Sequence, residues 1–338
     1  MKILIDIPIH ESGLAALKKL GGFDVELIES GEAEPPARAL DPKLIADVDV
    51  LICQNPPTNL NAMKALRWLQ IASTGYDQLL GLGLAERGIR ATNSRGCCDL
   101  QVAEWNLGMM INLVRDIRRL ISNQNAAVWD RAAAAQGEIR GRTVGFWGYG
   151  GYARETARLA RQLDMQVVAY TRSGARPRTD TYVVPGTGDP QGILPHRVFS
   201  AGEQSEFLGG LDFLILSLPL TPLTEGLIGE RELRALPRTA FLLNPARGRI
   251  VQEAALLRAL EENWIAGAAL DAHFHYPLPP EHALWRLRNV IVTPHLAAGG
   301  RTPRFLERFW DMLAQNVGRF CRGEALLNEL TPAELAGK

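Results

Sequence analysis

The chain is 338 residues long and 46% apolar, with lysine plus arginine equal to aspartate plus glutamate at 37 each. That length accommodates two domains, and the charge balance gives no electrostatic reason to expect nucleic acid or an anionic membrane as partner. Apolar stretches such as L-G-M-M-I-N-L-V (107–114) are too short to span a bilayer, and Asp6 interrupts what a signal peptide needs as its apolar core, so a cytoplasmic location is expected.

Residues 2–7 (K-I-L-I-D-I) read as a strand, 11–20 as a helix and 24–28 as a second strand. This opens an alternating β/α pattern that continues through D-V-L-I-C (49–53) and W-L-Q-I-A-S (68–73). Asp99 can cap a long apolar helix over 102–114. T-V-G-F-W (143–147) reads as a short buried strand, E-T-A-R-L-A-R-Q-L (155–163) as an amphipathic helix and M-Q-V-V-A-Y (165–170) as the next strand. Further strands are expected at 211–217, 239–243, 266–270 and 289–293, with a helix over 302–317 after Gly299-Gly300. Residues 174–206, rich in glycine and proline, read as a surface insertion.

Between the strand at 143–147 and its helix lies Gly148-Tyr149-Gly150-Gly151-Tyr152-Ala153. In a dinucleotide fingerprint the first glycine permits the tight turn, the second lets the backbone approach a pyrophosphate at the helix N-terminus, and the third place, here Ala153, needs only close packing of helix on strand. Gly148, Tyr149, Gly150, Gly151 and Tyr152 are therefore candidate cofactor residues. At the end of the next strand an acid would bind a free ribose 2′-hydroxyl, but the chain reads Thr171-Arg172-Ser173, with Arg176 and Arg178 close behind. Guanidinium and hydroxyl groups bind a 2′-phosphate, so NADP(H) is favoured and NAD(H) remains possible. The insertion after it then has a functional alternative, a flap over the adenosine end.

Two more groups follow in order: Arg247 in L-N-P-A-R-G and His295 in V-I-V-T-P-H-L. A pyrophosphate cradle, a cation for a carboxylate and an imidazole that moves a proton are the parts needed for hydride exchange with a 2-hydroxy acid.

These motifs, with A-S-T-G-Y-D (72–77), G-I-R-A-T-N (88–93), V-A-E-W (102–105), S-L-P-L-T-P-L-T (217–224) and G-A-A-L-D (267–271), resemble the D-isomer-specific 2-hydroxyacid dehydrogenase family along nearly the whole chain. The resemblance implies an α/β protein of two Rossmann-like domains with a cleft between them. A flavodoxin-like substrate domain would comprise 1–100 plus 300–338, and a dinucleotide-binding domain 101–299. It implies Arg247 as the substrate-binding catalytic arginine, His295 as the acid/base, and Leu218, Pro219, Thr224, Pro245, Ala246 and Asp271 lining the cofactor site. It also implies Asn55 and the turn Ser73-Thr74-Gly75 at the substrate carboxylate, and a homodimer.

One departure stands out. The family carries a glutamate before a proline after the L-D strand, whereas this chain has Tyr276-Pro277. A phenol stays neutral near pH 7 and can only hydrogen-bond, so Tyr276 is expected to hold the imidazole without the charge that favours its protonation. The expected activity is NAD(P)H-dependent reduction of a small 2-keto acid such as glyoxylate or hydroxypyruvate. The alternative is a dinucleotide-sensing binding protein without turnover. His273 and His275 invite a metal reading, but no ligand set completes it in sequence, so no metal is expected. The four cysteines form no framework and are expected as free thiols.

Overall fold

A computed structural model describes residues 1–28, 37–131, 137–299 and 302–338. The chain divides into two compact units, Met1–Cys98 with Thr179–Val184 and Gly299–Lys338, and Asp99–Arg178 with Pro185–Ala298.

The first unit holds β1 (Lys2–Asp6), β2 (Asp24–Leu27), β3 (Val50–Cys53), β4 (Trp68–Ile71) and β5 (Arg90–Thr92) in the order β2-β1-β3-β4-β5, every pair parallel. This order is that of flavodoxin-like sheets. β3 and β4 are buried along their whole length, which is why they are unbroken runs rather than alternating ones. The helix Pro303–Cys321 starts where Thr302 accepts the Phe305 N–H and Pro303 stands in the first turn. Its Trp310 fills the place where a side chain at Gly13 would sit, 2.5 Å from a Cβ added there.

The second unit adds β6 (Thr143–Trp147), β7 (Gln166–Tyr170), β8 (Arg197–Phe199), β9 (Phe213–Leu216), β10 (Phe241–Asn244), β11 (Gly267–Leu270) and β12 (Val290–Val292). They form one parallel sheet ordered β12-β11-β10-β9-β6-β7-β8. Alternation along β9 divides its side chains between two cores: Leu214 and Leu216 join one cluster, Phe213 and Ile215 the other. The strand order reverses between β6 and β9, and this switch point is where doubly wound sheets bind ligands. Both α/β units expected from the sequence are therefore present.

Three details differ from the sequence reading. Asp99 is the first residue of its helix, Asp99–Val114, rather than its cap. The short strands β5 and β8 have too few residues to show a period. The insertion is not merely a surface loop, because the chain passes from the second unit to the first and back within it, so the chain crosses four times rather than the expected twice.

Within the first unit Tyr182 is buried, its hydroxyl donates to Asp311 Oδ2 at 2.9 Å, and its N–H donates to Asn328 Oδ1 at 3.1 Å. The Asn328 N–H donates to Asp180 O in return, at 2.9 Å. Gly96 accommodates this segment: its φ is +90°, and an added Cβ would lie 2.0 Å from the Tyr182 carbonyl oxygen.

Burial, and then the Asp311 carboxylate, raises the Tyr182 hydroxyl above the ordinary tyrosine range. The fold thus keeps this phenol neutral, so its contribution is complete below about pH 10, the unfolded value, and is lost as pH rises beyond it. Tyr182→Phe should cost about 1 to 2 kcal/mol near neutrality through the lost hydrogen bond, yet flatten the alkaline loss of stability. Gly96→Ala should cost about 2 to 3 kcal/mol. Urea unfolding on both sides of pH 10 measures all three effects, and an unchanged alkaline slope in Tyr182→Phe would remove this phenol as its source.

Candidate active site

The carboxyl edge of the second sheet is organised by Asp271, the fully buried residue that follows β11. Its Oδ1 accepts the Thr293 hydroxyl at 2.5 Å and the Leu296 N–H at 2.9 Å, and its Oδ2 accepts the Ala297 N–H at 2.9 Å. Its carbonyl accepts the His295 N–H at 2.9 Å. The loop after β12 is thereby wrapped around one carboxylate. Within it His295 has φ +57°, a left-handed conformation that costs a residue with a Cβ about 1 to 2 kcal/mol. Such a conformation persists only where its surroundings over-determine it, as these bonds do.

Tyr276 lies beside the imidazole, with ring centroids 5.5 Å apart and planes tilted by 48°. The phenol is 57% exposed, and its oxygen accepts the His273 N–H at 3.1 Å. The residue at the family's glutamate position is therefore next to His295. His273 is a residue the sequence reading left without a role. It is buried, and its Nε2 lies 2.7 Å from the Thr293 carbonyl oxygen, which can only accept, so Nε2 carries the proton.

Arg247 follows β10, where buried Asn244 brackets the turn by accepting the Ala246 N–H at 3.1 Å and donating to the Arg247 carbonyl at 2.9 Å. Pro245 and Ala246 are buried inside this bracket. A Cβ on Gly248 would lie 2.2 Å from the backbone of His273, so glycine lets the arginine turn rest against the loop that carries Tyr276. Arg247 is half-buried, and its Nη1 donates to Ala246 O at 2.9 Å. Arg247, Tyr276 and His295 thus follow three neighbouring strands, β10, β11 and β12, at one sheet edge.

The glycine turn lies at the switch point. Gly148 has φ +88°, and a Cβ there would meet the Ser217 carbonyl at 2.2 Å. Its glycine is needed to pass β9. At Gly151 an added Cβ would meet Asp99 Oδ2 at 2.0 Å, so that glycine admits the start of the helix Asp99–Val114. Gly150, the N-cap of the helix Gly151–Gln162, has only Ser217 Oγ at 3.6 Å from an added Cβ and leaves the helix N-terminus open to an anion. Ala153 is fully buried, as close helix packing requires. Beyond β7, Thr171 Oγ is buried without a hydrogen-bond partner, and Arg172 and Ser173 are exposed. The open helix N-terminus at Gly150 fits the pyrophosphate of a nicotinamide dinucleotide.

Several candidate cofactor residues have other work. The Tyr149 hydroxyl donates to Asp189 Oδ2 at 2.8 Å, and burial, then that carboxylate, raises it above the ordinary tyrosine range. Tyr152 donates to the Leu216 carbonyl at 2.9 Å. The Thr224 hydroxyl donates to Pro219 O at 2.6 Å and accepts the Thr221 N–H at 2.8 Å, closing the loop that carries Leu218 and exposed Pro219. These side chains, like Asp271, hold the loops of the site through bonds within the protein. Arg154, unflagged by sequence, is buried and donates Nη2 to Arg176 O at 2.7 Å, with Nη1 on Asp189 O.

In the first unit Asn55 and Ser73-Thr74-Gly75 follow neighbouring strands β3 and β4. Ser73 Oγ donates to Gly75 O at 2.8 Å and accepts from Gln78 Nε2 at 2.8 Å, and Thr74 Oγ lies 3.1 Å from Cys98 Sγ. These hydroxyls hold the turn itself. All four cysteines are free. Beside His275 lie Glu253 and His282, both distant in sequence.

Residues 107–297 match the family model described as D-isomer specific 2-hydroxyacid dehydrogenase, NAD binding domain. The chain is 31% identical to a glyoxylate reductase of Thermofilum pendens, over 97% of this chain and 94% of that one. It is 30% identical to a glyoxylate reductase of Thermococcus kodakarensis, over 96% and 94%. Among solved structures, the NADPH-dependent glyoxylate/hydroxypyruvate reductase of Sinorhizobium meliloti, in complex with NADP and malonate, superposes with a TM-score of 0.73 at 27% identity, over 99% of this chain and 97% of that one. The chain therefore belongs to the D-isomer specific 2-hydroxyacid dehydrogenase family, and is an NAD(P)-dependent enzyme acting between 2-keto and 2-hydroxy acids.

Proposed function

We propose that this enzyme reduces a small 2-keto acid of the glyoxylate or hydroxypyruvate type to the D-2-hydroxy acid, with NADPH as preferred cofactor. The observation that carries the reading is the fixed left-handed His295, beside Tyr276, on a strand end next but one to that of Arg247. The planar guanidinium of Arg247 binds the substrate carboxylate and polarises the carbonyl. Protonated His295 gives its proton to the alkoxide that develops as the carbonyl is reduced. Tyr276 orients the imidazole. The bound dinucleotide supplies the hydride, and its pyrophosphate is held at Gly150. Relatives named glyoxylate reductase support the substrate class, and the relative solved with NADP supports the cofactor.

NADPH should exceed NADH in kcat/KM, and Arg172→Ala should remove about ten-fold or more of that preference, the worth of one hydrogen bond to a charged group. Equal values for both cofactors in the unaltered enzyme would sink the assignment of Thr171, Arg172 and Ser173 to the 2′-phosphate.

His295→Gln should lower kcat by about 10²- to 10⁴-fold while NADPH affinity, read by fluorescence titration, stays within about two-fold. Arg247→Ala should instead weaken keto-acid binding and turnover together. Full activity of either variant would refute its assigned role.

Tyr276→Glu places a carboxylate beside His295, which favours the imidazolium, so the pH at which reduction declines should move upward. A pH profile identical to that of the parent, in a folded variant, would show that residue 276 does not act on the imidazole.

A further inference from the structure

We propose that Glu253, His275 and His282 form a binding site for a borderline transition-metal cation of the zinc class. The three come from separate segments: Glu253 opens the helix Glu253–Glu261, His275 stands in the loop after β11, and His282 precedes the short turn Ala283–Trp285. Glu253 Oε1 lies 2.7 Å from His282 Nε2, and Glu253 Oε2 lies 3.7 Å from His275 Nε2. The ligating atoms all lie within 4.8 Å of one another. In a tetrahedral site with bonds of about 2.0 to 2.1 Å, ligand atoms stand about 3.3 Å apart, so the spacings bracket the required value. His275 is exposed on a loop, so its side chain is free of packing that would hold it away from the other two ligands.

Two imidazoles and one carboxylate select the metal. Magnesium and calcium prefer oxygen ligands, whereas imidazole suits zinc and its neighbours. Exposure of His275 and partial exposure of Glu253 leave a coordination position for water. His282 now accepts the Leu284 N–H on Nδ1 at 3.2 Å, so Nε2 carries the proton and donates to Glu253. Metal on Nε2 moves that proton to Nδ1 and releases the long bond to Leu284. The nearby Trp285, whose Nε1 donates to Pro279 O at 2.9 Å, gives an optical report of this change.

The consequence for catalysis rests on the proposed roles of Tyr276 and His295, whereas the binding does not. His275 immediately precedes Tyr276, so a cation here anchors to the helix Glu253–Glu261 the loop that sets a phenol beside His295. In the sequence His275 invites a metal reading beside His273, but its companions in the fold, Glu253 and His282, stand 22 and 7 residues away from it, and no local spacing marks them.

Metal-stripped full-length enzyme titrated calorimetrically with zinc chloride should bind one equivalent, with quenching or enhancement of tryptophan fluorescence that Trp285→Phe removes. His275→Ala and Glu253→Gln should each weaken binding at least ten-fold, and His295→Gln should leave the isotherm unchanged. Cobalt(II) should give the visible bands of nitrogen and oxygen ligands. No binding by the unaltered enzyme, an isotherm insensitive to His275→Ala, loss of binding in His295→Gln, or thiolate charge-transfer bands pointing to Cys321 would each overturn the site. None of these readings requires turnover, so a failure to reduce keto acids would leave the metal proposal separately decided.

Discussion

The buried carboxylate of Asp271 is the group on which the carboxyl edge of the second sheet depends. Removing a charge from water is costly unless hydrogen bonds replace its hydration. Here a hydroxyl and two backbone N–H groups do so, all from the segment 293–297. Because bonds to a charged acceptor are short and strong, they can hold His295 in a conformation that an L-residue otherwise avoids. Thr293 joins the network outward, accepting from Trp105 Nε1 at 3.2 Å while its carbonyl meets His273. His295 and the groups around it are thus parts of one hydrogen-bonded assembly, in which a change at Asp271 would reach the imidazole through the backbone of its loop.

A second buried polar assembly governs the cofactor end. Arg154 is desolvated, which lowers its proton affinity, and it is compensated by the carbonyls of Tyr149, Arg176 and Asp189. Asp189 accepts the Tyr149 hydroxyl and the N–H groups of Ile193 and Leu194. Glu155, also buried, accepts the Gly188 N–H at 2.6 Å. These bonds fold the chain after Arg172 and Ser173 onto the helix that begins at Gly151. The turn at Arg172 and Ser173 is therefore the entrance to an ordered segment rather than a free loop.

The legible parts of this protein were those governed by local pattern. Strands β6, β7 and β9 to β12 are apolar runs bounded by turn residues, and the switch-point glycines stand between a strand and a helix, so period and punctuation sufficed. What pattern could not separate was two uses of one residue type. Tyr149 and Tyr152 sit inside the glycine turn, yet their hydroxyls serve Asp189 and Leu216, partners 40 and 64 residues away. Asp271 stands where a resemblance assigns cofactor contact, and only the fold shows its carboxylate spent on the following loop. Arg154 and Asn244 went unremarked for the same reason: a buried polar residue is recognised by its partners, and these are set by tertiary structure.

The glycines make the same point from the other side. Gly148, Gly151 and Gly248 would each bring a Cβ to 2.2 Å or less from another atom, but the atoms belong to Ser217, Asp99 and His273, not to a ligand. Only Gly150 faces space. The fingerprint is thus mostly a set of permissions for protein to approach protein, as the tight turn at Gly148 and the packing at Ala153 already imply, with the open approach at Gly150. The chemistry at this sheet edge follows from that division. Close backbone packing fixes the loops after β6, β10 and β11, and buried polar groups fix the loop after β12, so the positions of Arg247, Tyr276 and His295 are set by the protein packed around them.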